Sequence, residues 1–293
     1  MKDYVLFTDS TADLPADIYK ELDIEVVPFE FLVEGKPYRH YGDAREMSYE
    51  EFYRRIKDGQ NISTAQINAY TFEECFTPFL EKGQDLLYIC FSSGLSGTYD
   101  ASVMAVNNLK EKFPDRKITT IDCLCASVGQ GLLVYKAGLL YRDGAGFDEL
   151  EAWVYENRLK IRHWFVVDDL EHLHKGGRVS AATAVMGTAL GVKPLLTLDA
   201  KGKLVTAGKP RGEKKVIEAF CRKISEEGDN PGEQTVIIGH AANIALARKL
   251  EAELKKRGLI KDAIISDVGP VIGAHVGCGM VALIYFSAED LKD

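Results

Sequence analysis

The 293-residue sequence predicts an α/β protein in two parts: a parallel-sheet α/β domain over 1–160 and a mixed α/β domain over 161–293. Three features predict it. In the first half, strand-like apolar runs alternate with helical patterns, the order of a parallel sheet wrapped by helices. The run Leu86–Phe91, LLYICF, stops at a hydroxyl- and glycine-rich turn, Ser92–Thr98, out of which an amphipathic helix opens. Past about residue 160 the pattern changes to a hairpin-like stretch, PLLTLDAKGKLVTAGKP, and further helices.

The elements follow in order. YVLF is a first strand, TDSTADLP a loop, and PADIYKEL a short helix with Pro15 in its first turn. IEVVPFEFLV and KPYRHY read as extended segments around the turn Glu34-Gly35. Ser48-Tyr49-Glu50-Glu51 and Thr71-Phe72-Glu73-Glu74 each fit a capping box that opens a helix. After the LLYICF strand and its helix come the strand KITTID and the long helix SVGQGLLVYKAGLLYR. A helix containing Trp153 and Tyr155 leads to the strand and turn of HWFVVDDL, then HLHKGGR and a small-residue helix, SAATAVMGTAL. The hairpin turns at Lys201-Gly202. The helices EKKVIEAFCRKI and ALARKLEAELKKRG flank the strands TVIIGH and DAIISDV, and MVALIYF is the last strand.

Composition narrows the function classes. Hydrophobic residues make up 46% and charged residues 27%, enough apolar side chains for a substantial core. A formal net charge of -8 argues against nucleic acid or an anionic membrane as the main partner. No apolar run approaches a membrane span, so stable membrane insertion is not expected. MKDYVLFTDS reads as a strand, not a signal peptide. The cysteines (Cys75, Cys90, Cys123, Cys125, Cys221 and Cys278) form no CxxC pair, which predicts reduced thiols in a cytoplasmic protein. His172 and His174 stand beside Glu171, but no third metal ligand is evident, and neither metal nor cofactor is expected.

Four polar or glycine-rich loops interrupt the pattern at strand ends, where open α/β sheets bind ligands. Thr8-Asp9-Ser10-Thr11 offers an acid after a strand, but position 11 is not a second Asp, and a turn braced by Asp and Thr side chains is the better reading. Ser63-Thr64-Ala65-Gln66 offers hydroxyls ahead of a helix. In Ser92–Thr98, unpaired N–H groups at a helix start and several hydroxyls suit an anionic head group. Ser96 also sits where a nucleophile elbow would place a serine, yet Gly94-Leu95-Ser96-Gly97-Thr98 has its second glycine one place early for G-x-S-x-G. The fourth feature is paired: Lys175-Gly176-Gly177-Arg178 and the loop Gly269–Gly277. Arg178 suits planar contacts to a carboxylate or phosphate, and His275 suits donation to an anion or proton carriage. Lys209, Arg211, Lys214 and Lys215 make a local basic patch, either a solvated helix start or a docking surface for an acidic partner.

In order and spacing, FTDSTADLP, STAQ, SSGLSGTY, LHKGGRVS, LGVKPLL, GKPRGEKK and GPVIGAHVG resemble the DegV family of fatty-acid-binding proteins over nearly the whole chain. The resemblance implies a two-domain fold that holds one long-chain fatty acid, such as palmitate or oleate, in a buried channel. Residues 1–160 would carry the carboxylate-binding loops and 161–293 would complete the channel. It implies a carboxylate held by Thr64 and Ser96, with Ser93 the alternative in the same turn. Arg178 and His275 are similar to residues implicated at the head group or in docking a partner. In members that serve fatty acid kinases, a separate kinase subunit phosphorylates the bound acid, so a kinase partner and a non-enzymatic carrier role are implied here. The chain departs from the family pattern at Ala65 (usually Ser), Ile67 (usually Pro) and Cys278 (usually Pro).

Energetics agree with such a ligand. Each charge-assisted hydrogen bond to a carboxylate is worth roughly 1.5–3 kcal/mol, and each buried methylene contributes about 0.8 kcal/mol, so a long tail outweighs its head group. The competing reading is a serine-dependent esterase or acyltransferase using Ser96 and His275; a third is a regulatory protein without a ligand.

Overall fold

A computed structural model describes residues 2–181 and 191–292. The chain builds three sheets. Strands β1 (Tyr4–Asp9), β2 (Ile24–Val27), β6 (Asp85–Cys90) and β7 (Ile118–Asp122) form an all-parallel sheet in the order β2-β1-β6-β7. Every residue of β1 is buried, as the apolar run requires of a strand covered on both faces. At Pro28-Phe29 the chain leaves this sheet, so the predicted extended segment is two strands. β3 (Glu30–Val33) pairs antiparallel with β4 (Lys36–Arg39) and β5 (Ile62–Ala65) in a small sheet of its own.

The third sheet has six strands in the order β10-β9-β8-β13-β11-β12. They are β8 (Ile161–Val166), β9 (Leu195–Leu198), β10 (Leu204–Gly208), β11 (Thr235–His240), β12 (Asp262–Asp267) and β13 (Val281–Phe286). Only β11 and β12 pair parallel, so this sheet is mixed. β9 and β10 form the predicted hairpin, with Gly202 at φ 67° in its turn.

Helices α1 (Ala16–Glu21), α2 (Tyr49–Lys57), α3 (Ala69–Leu80) and α4 (Thr98–Lys112) connect the early strands. Ser48 caps α2, its hydroxyl accepting from the Glu51 N–H at 3.1 Å. The reciprocal half of that box is absent because Glu51 pairs with Arg54 and Arg55 instead. The second expected box is corrected: Asn68, not Thr71, caps α3 and accepts from the Thr71 N–H at 2.9 Å. Asn is at least as good a cap as Thr, and Thr71 is the third residue of the helix, whose free N–H a cap at position 68 reaches.

Helix α5 (Val128–Arg142) is buried on most of its circumference. It packs on β1 of the parallel sheet and on β8, β11 and β13 of the mixed sheet, which explains its apolar and glycine-rich composition. After α6 (Phe147–Asn157) come the short α7 (Glu171–Lys175), then α8 (Gly212–Glu227), α9 (Ile244–Lys256) and α10 (Pro270–Val276). The mixed sheet is two-faced. Trp164, Val166, Leu283 and Tyr285 join a core with α8 and α9, while Phe165, Ala282 and Ile284 face the core shared with α5.

Two of the loops predicted from the sequence are regular structure. Thr64 lies in β5, and Pro270–Val276 is a two-turn helix with Pro270 in its first turn. Most of the predicted helix SAATAVMGTAL lies outside the described residues.

Candidate ligand cavity

An apolar cavity of about 270 Å³ opens where the three sheets meet, near the lower end of the roughly 300–1,000 Å³ common for small-molecule sites. Its walls follow from strand periodicity. On β8 His163 and Phe165 face inward, and on β13 Ala282 and Ile284 do. His163 stands opposite Ile284, and Phe165 opposite Ala282, so the two rows are about 7 Å apart along the strands. Leu198 and Leu204 of the β9–β10 hairpin, with Phe29 and Phe91 from the parallel-sheet side, add to the apolar lining.

Four residues singled out from the sequence converge on this cavity: Thr64, Ser96, Arg178 and His275. Thr64 Oγ1 and His275 Nε2 are 2.9 Å apart, joining β5 to α10. His275 rests on Gly176, where a Cβ would run into its Nδ1. Burial first, then the nearby Arg178 and His172, holds the imidazole down at about 4, so it is neutral at pH 7. The Arg178 Nε donates to the Leu95 carbonyl at 3.2 Å and its Nη1 to the Gly176 carbonyl, which ties the Lys175–Arg178 turn to the Ser92–Thr98 turn. Half-burial lowers the pKa of Arg178 without removing its charge.

The Ser92–Thr98 turn is held from both sides. Ser92 Oγ donates to the Gly202 carbonyl at 2.9 Å and anchors the turn to the hairpin. Ser96 Oγ and Thr98 Oγ1 lie 2.9 Å apart, and the Thr98 N–H donates to Ser96 Oγ at 3.2 Å. The Ile67 N–H donates to Thr98 Oγ1 at 3.4 Å, a bond that proline at position 67 could not make. Gly97 lies against the Gln66 side chain with no room for a Cβ. Ser93 does not line the cavity; it is exposed, and its N–H donates to Asp122.

The remaining candidates have other placements. Asp9 is fully buried and accepts from Thr11, Tyr88, Phe91 and Gln130, so it braces the turn after β1. Three further polar residues of the lining are engaged: the Thr11 hydroxyl bonds to Asp9, Ser127 donates to Asp13, and His163 Nε2 accepts from the Ala126 N–H at 3.3 Å. The Cys278 thiol donates to the Tyr53 carbonyl at 3.6 Å. All six cysteines are free. Among the described residues no three His, Cys, Asp or Glu side chains converge as a metal site, and no helix is long and apolar enough to cross a membrane. Lys209, Arg211, Lys214 and Lys215 are exposed at the start of α8, away from the cavity lining.

Sequence reasoning missed the apolar walls. Their signal was present as the period-two set Met280, Ala282, Ile284, but alternation identifies a buried face without saying that the face borders a cavity.

The fold is a parallel-sheet part and a mixed-sheet part with a largely apolar cavity between the sheets, the form of a small-molecule binding site. The chain belongs to the DegV family: the model of an uncharacterised protein of that family matches residues 4–288. A DegV domain-containing protein of Clostridium perfringens is 38% identical over 285 residues, 97% of this chain and 98% of the relative. Among solved structures, a DegV lipid binding protein of Thermotoga maritima matches with TM-score 0.85 and 29% identity, over 99% of this chain and 100% of that one. A DegV family protein of Thermus thermophilus, described by its fatty acid binding, matches with TM-score 0.85 and 30% identity, over 98% of this chain and 100% of that one.

Proposed function

We propose that this protein binds one long-chain fatty acid, such as palmitate or oleate, with its tail in the apolar cavity and its carboxylate between Thr64 and Ser96. The observation that carries the reading is the meeting of Thr64, Ser96, Arg178 and His275 on one largely apolar cavity. With its proton on Nε2, neutral His275 donates to Thr64 Oγ1 and leaves the threonine O–H free to point at a carboxylate oxygen. Arg178 adds positive charge beside the head group. Residues 1–160 supply both hydroxyls, and residues 161–293 close the channel. The likeness to proteins of Thermotoga and Thermus that bind lipid or fatty acid supports the same ligand class here.

The role is carriage in lipid metabolism or transport in the cytoplasm, and it needs no metal or other cofactor. The serine-hydrolase alternative is disfavoured because Ser96 bonds to Thr98 while His275 bonds to Thr64, leaving no serine–histidine pair. We read the partner as a separate kinase that phosphorylates the presented carboxylate; transfer of label from ATP to the bound acid in the mixture of the two proteins tests that step.

Equilibrium binding of palmitate tests the head-group assignment. Losing two charge-assisted bonds in the double variant Thr64→Ala, Ser96→Ala should weaken affinity at least about a hundredfold, with circular dichroism unchanged. Wild-type affinity in that variant would refute the assignment.

A further inference from the structure

We propose that Asp13 is a positioning residue for the acid site, locking two walls of the cavity together while sharing one proton with His40. The inference rests on the fatty-acid reading above only for its ligand assay. Asp13 follows the turn after β1 and is held in the left-handed region at φ 51°. Its buried carboxyl joins segments that are far apart in the chain. Ser127 Oγ donates to Oδ2 at 2.5 Å, and the Gly269 N–H donates to Oδ1 at 3.0 Å. Ser266 Oγ donates to the Asp13 carbonyl at 2.5 Å. Ser127 lines the cavity at the start of α5, itself strained at φ 52°, and Gly269 starts α10, which carries His275. One carboxyl therefore sets the position of α10 against α5.

His40 completes the joint. Its Nε2 lies 3.9 Å from Asp13 Oδ1, and among the described residues neither ring nitrogen has a hydrogen-bond partner. The ring and the carboxyl both press on Gly269, where a Cβ would run into them. His40 also donates its N–H to the carbonyl of Phe29, a residue of the cavity wall, at 2.8 Å.

The groups facing Asp13 offer no positive charge. Asp9 on β1 and Asp267 on β12 are acids, and Tyr19 on α1 with Tyr49 and Tyr53 on α2 are phenols. Burial pushes Asp13 up to about 8 and holds His40 down at about 3, so at neutral pH the couple keeps one proton on the carboxyl. His40 Nε2 is the acceptor for that proton; a shift of about 1 Å brings it into hydrogen-bond range. Above the transition a buried carboxylate is left with two donors and no cation, and its relief is opening of the joint to water. The sign follows: Asp13 is raised above its ordinary value of 3.8, so its contribution is full below that pH and is lost as pH rises through about 8.

Palmitate affinity measured from pH 6.5 to 9.5 is the test. Wild type should lose affinity as pH rises towards 8, by up to about tenfold per unit, and level off above it. Asp13→Asn, a fixed stand-in for the protonated acid, should give a flat profile; the wild-type slope in that variant overturns the proposal. His40→Phe removes the acceptor and should move the transition to lower pH, and an unmoved transition overturns the shared proton even if Asp13→Asn fails to fold. Amide hydrogen exchange over 270–276 in the ligand-free protein, corrected for intrinsic rates, should accelerate in wild type as pH rises towards 8 and level off above it. Its absence overturns the joint. Palmitate binding to none of the proteins would instead count against the fatty-acid reading, with the exchange data still deciding the role of Asp13.

Discussion

At the scale of single residues, the head-group cluster depends on what its neighbours lack. His275 reaches Thr64 because Gly176 has no side chain, and Gln66 packs on Gly97 because Gly97 has none. Gly176→Ala puts a methyl group into His275 Nδ1 and should push the ring off Thr64. Acid affinity is then expected to fall about tenfold, the loss of one charge-assisted bond, with little change in unfolding temperature; retained affinity in a titration with palmitate would show that His275 does not orient Thr64. These four residues could be named in the sequence because hydroxyl, guanidinium and imidazole groups among apolar runs are conspicuous. Asp13 was not, since an acid in a turn before proline looks like ordinary turn chemistry. Its partners, Ser127, Gly269 and His40, come together only in the folded chain.

At the scale of elements, the strands and long helices were legible because period two and period 3.6 are written in the apolar residues. The exceptions have particular causes. Pro270–Val276 was read as a loop because Gly273 within it and the glycines on either side mask a helix only seven residues long. Thr64 was read as a loop because β5 is a four-residue strand with no fully buried residue. The hairpin was legible, but its role was not. Gly202 sits at φ 67° with its carbonyl accepting from Ser92, and a Cβ there would press on Ser92 and on Leu124 at 3.1 Å. Gly202→Ala should therefore destabilise by about 1–3 kcal/mol and detach the hairpin from the Ser92–Thr98 turn. Urea unfolding measures the first effect, and a variant as stable as wild type would contradict the contact.

At the scale of the whole molecule, the parallel sheet is covered on both faces and the mixed sheet packs a core on each of its own, and the cavity is the space that remains where they meet the small antiparallel sheet. α5 is the common wall, packed on β1 from one direction and on β8, β11 and β13 from the other. On the proposed reading, an acidic chain of net charge -8 would hold an anion through local donors and Arg178, not through its overall field. The cavity's existence was not readable from periodicity, because a residue facing a cavity and one facing a core obey the same pattern; the family resemblance alone implied a channel. The ligand is the central claim, and mass spectrometry of a solvent extract of the purified protein tests it most directly. The account predicts one long-chain fatty acid recovered per chain, and its loss from the Thr64→Ala, Ser96→Ala variant. Extracts free of lipid, together with no uptake of added palmitate or oleate, would contradict it.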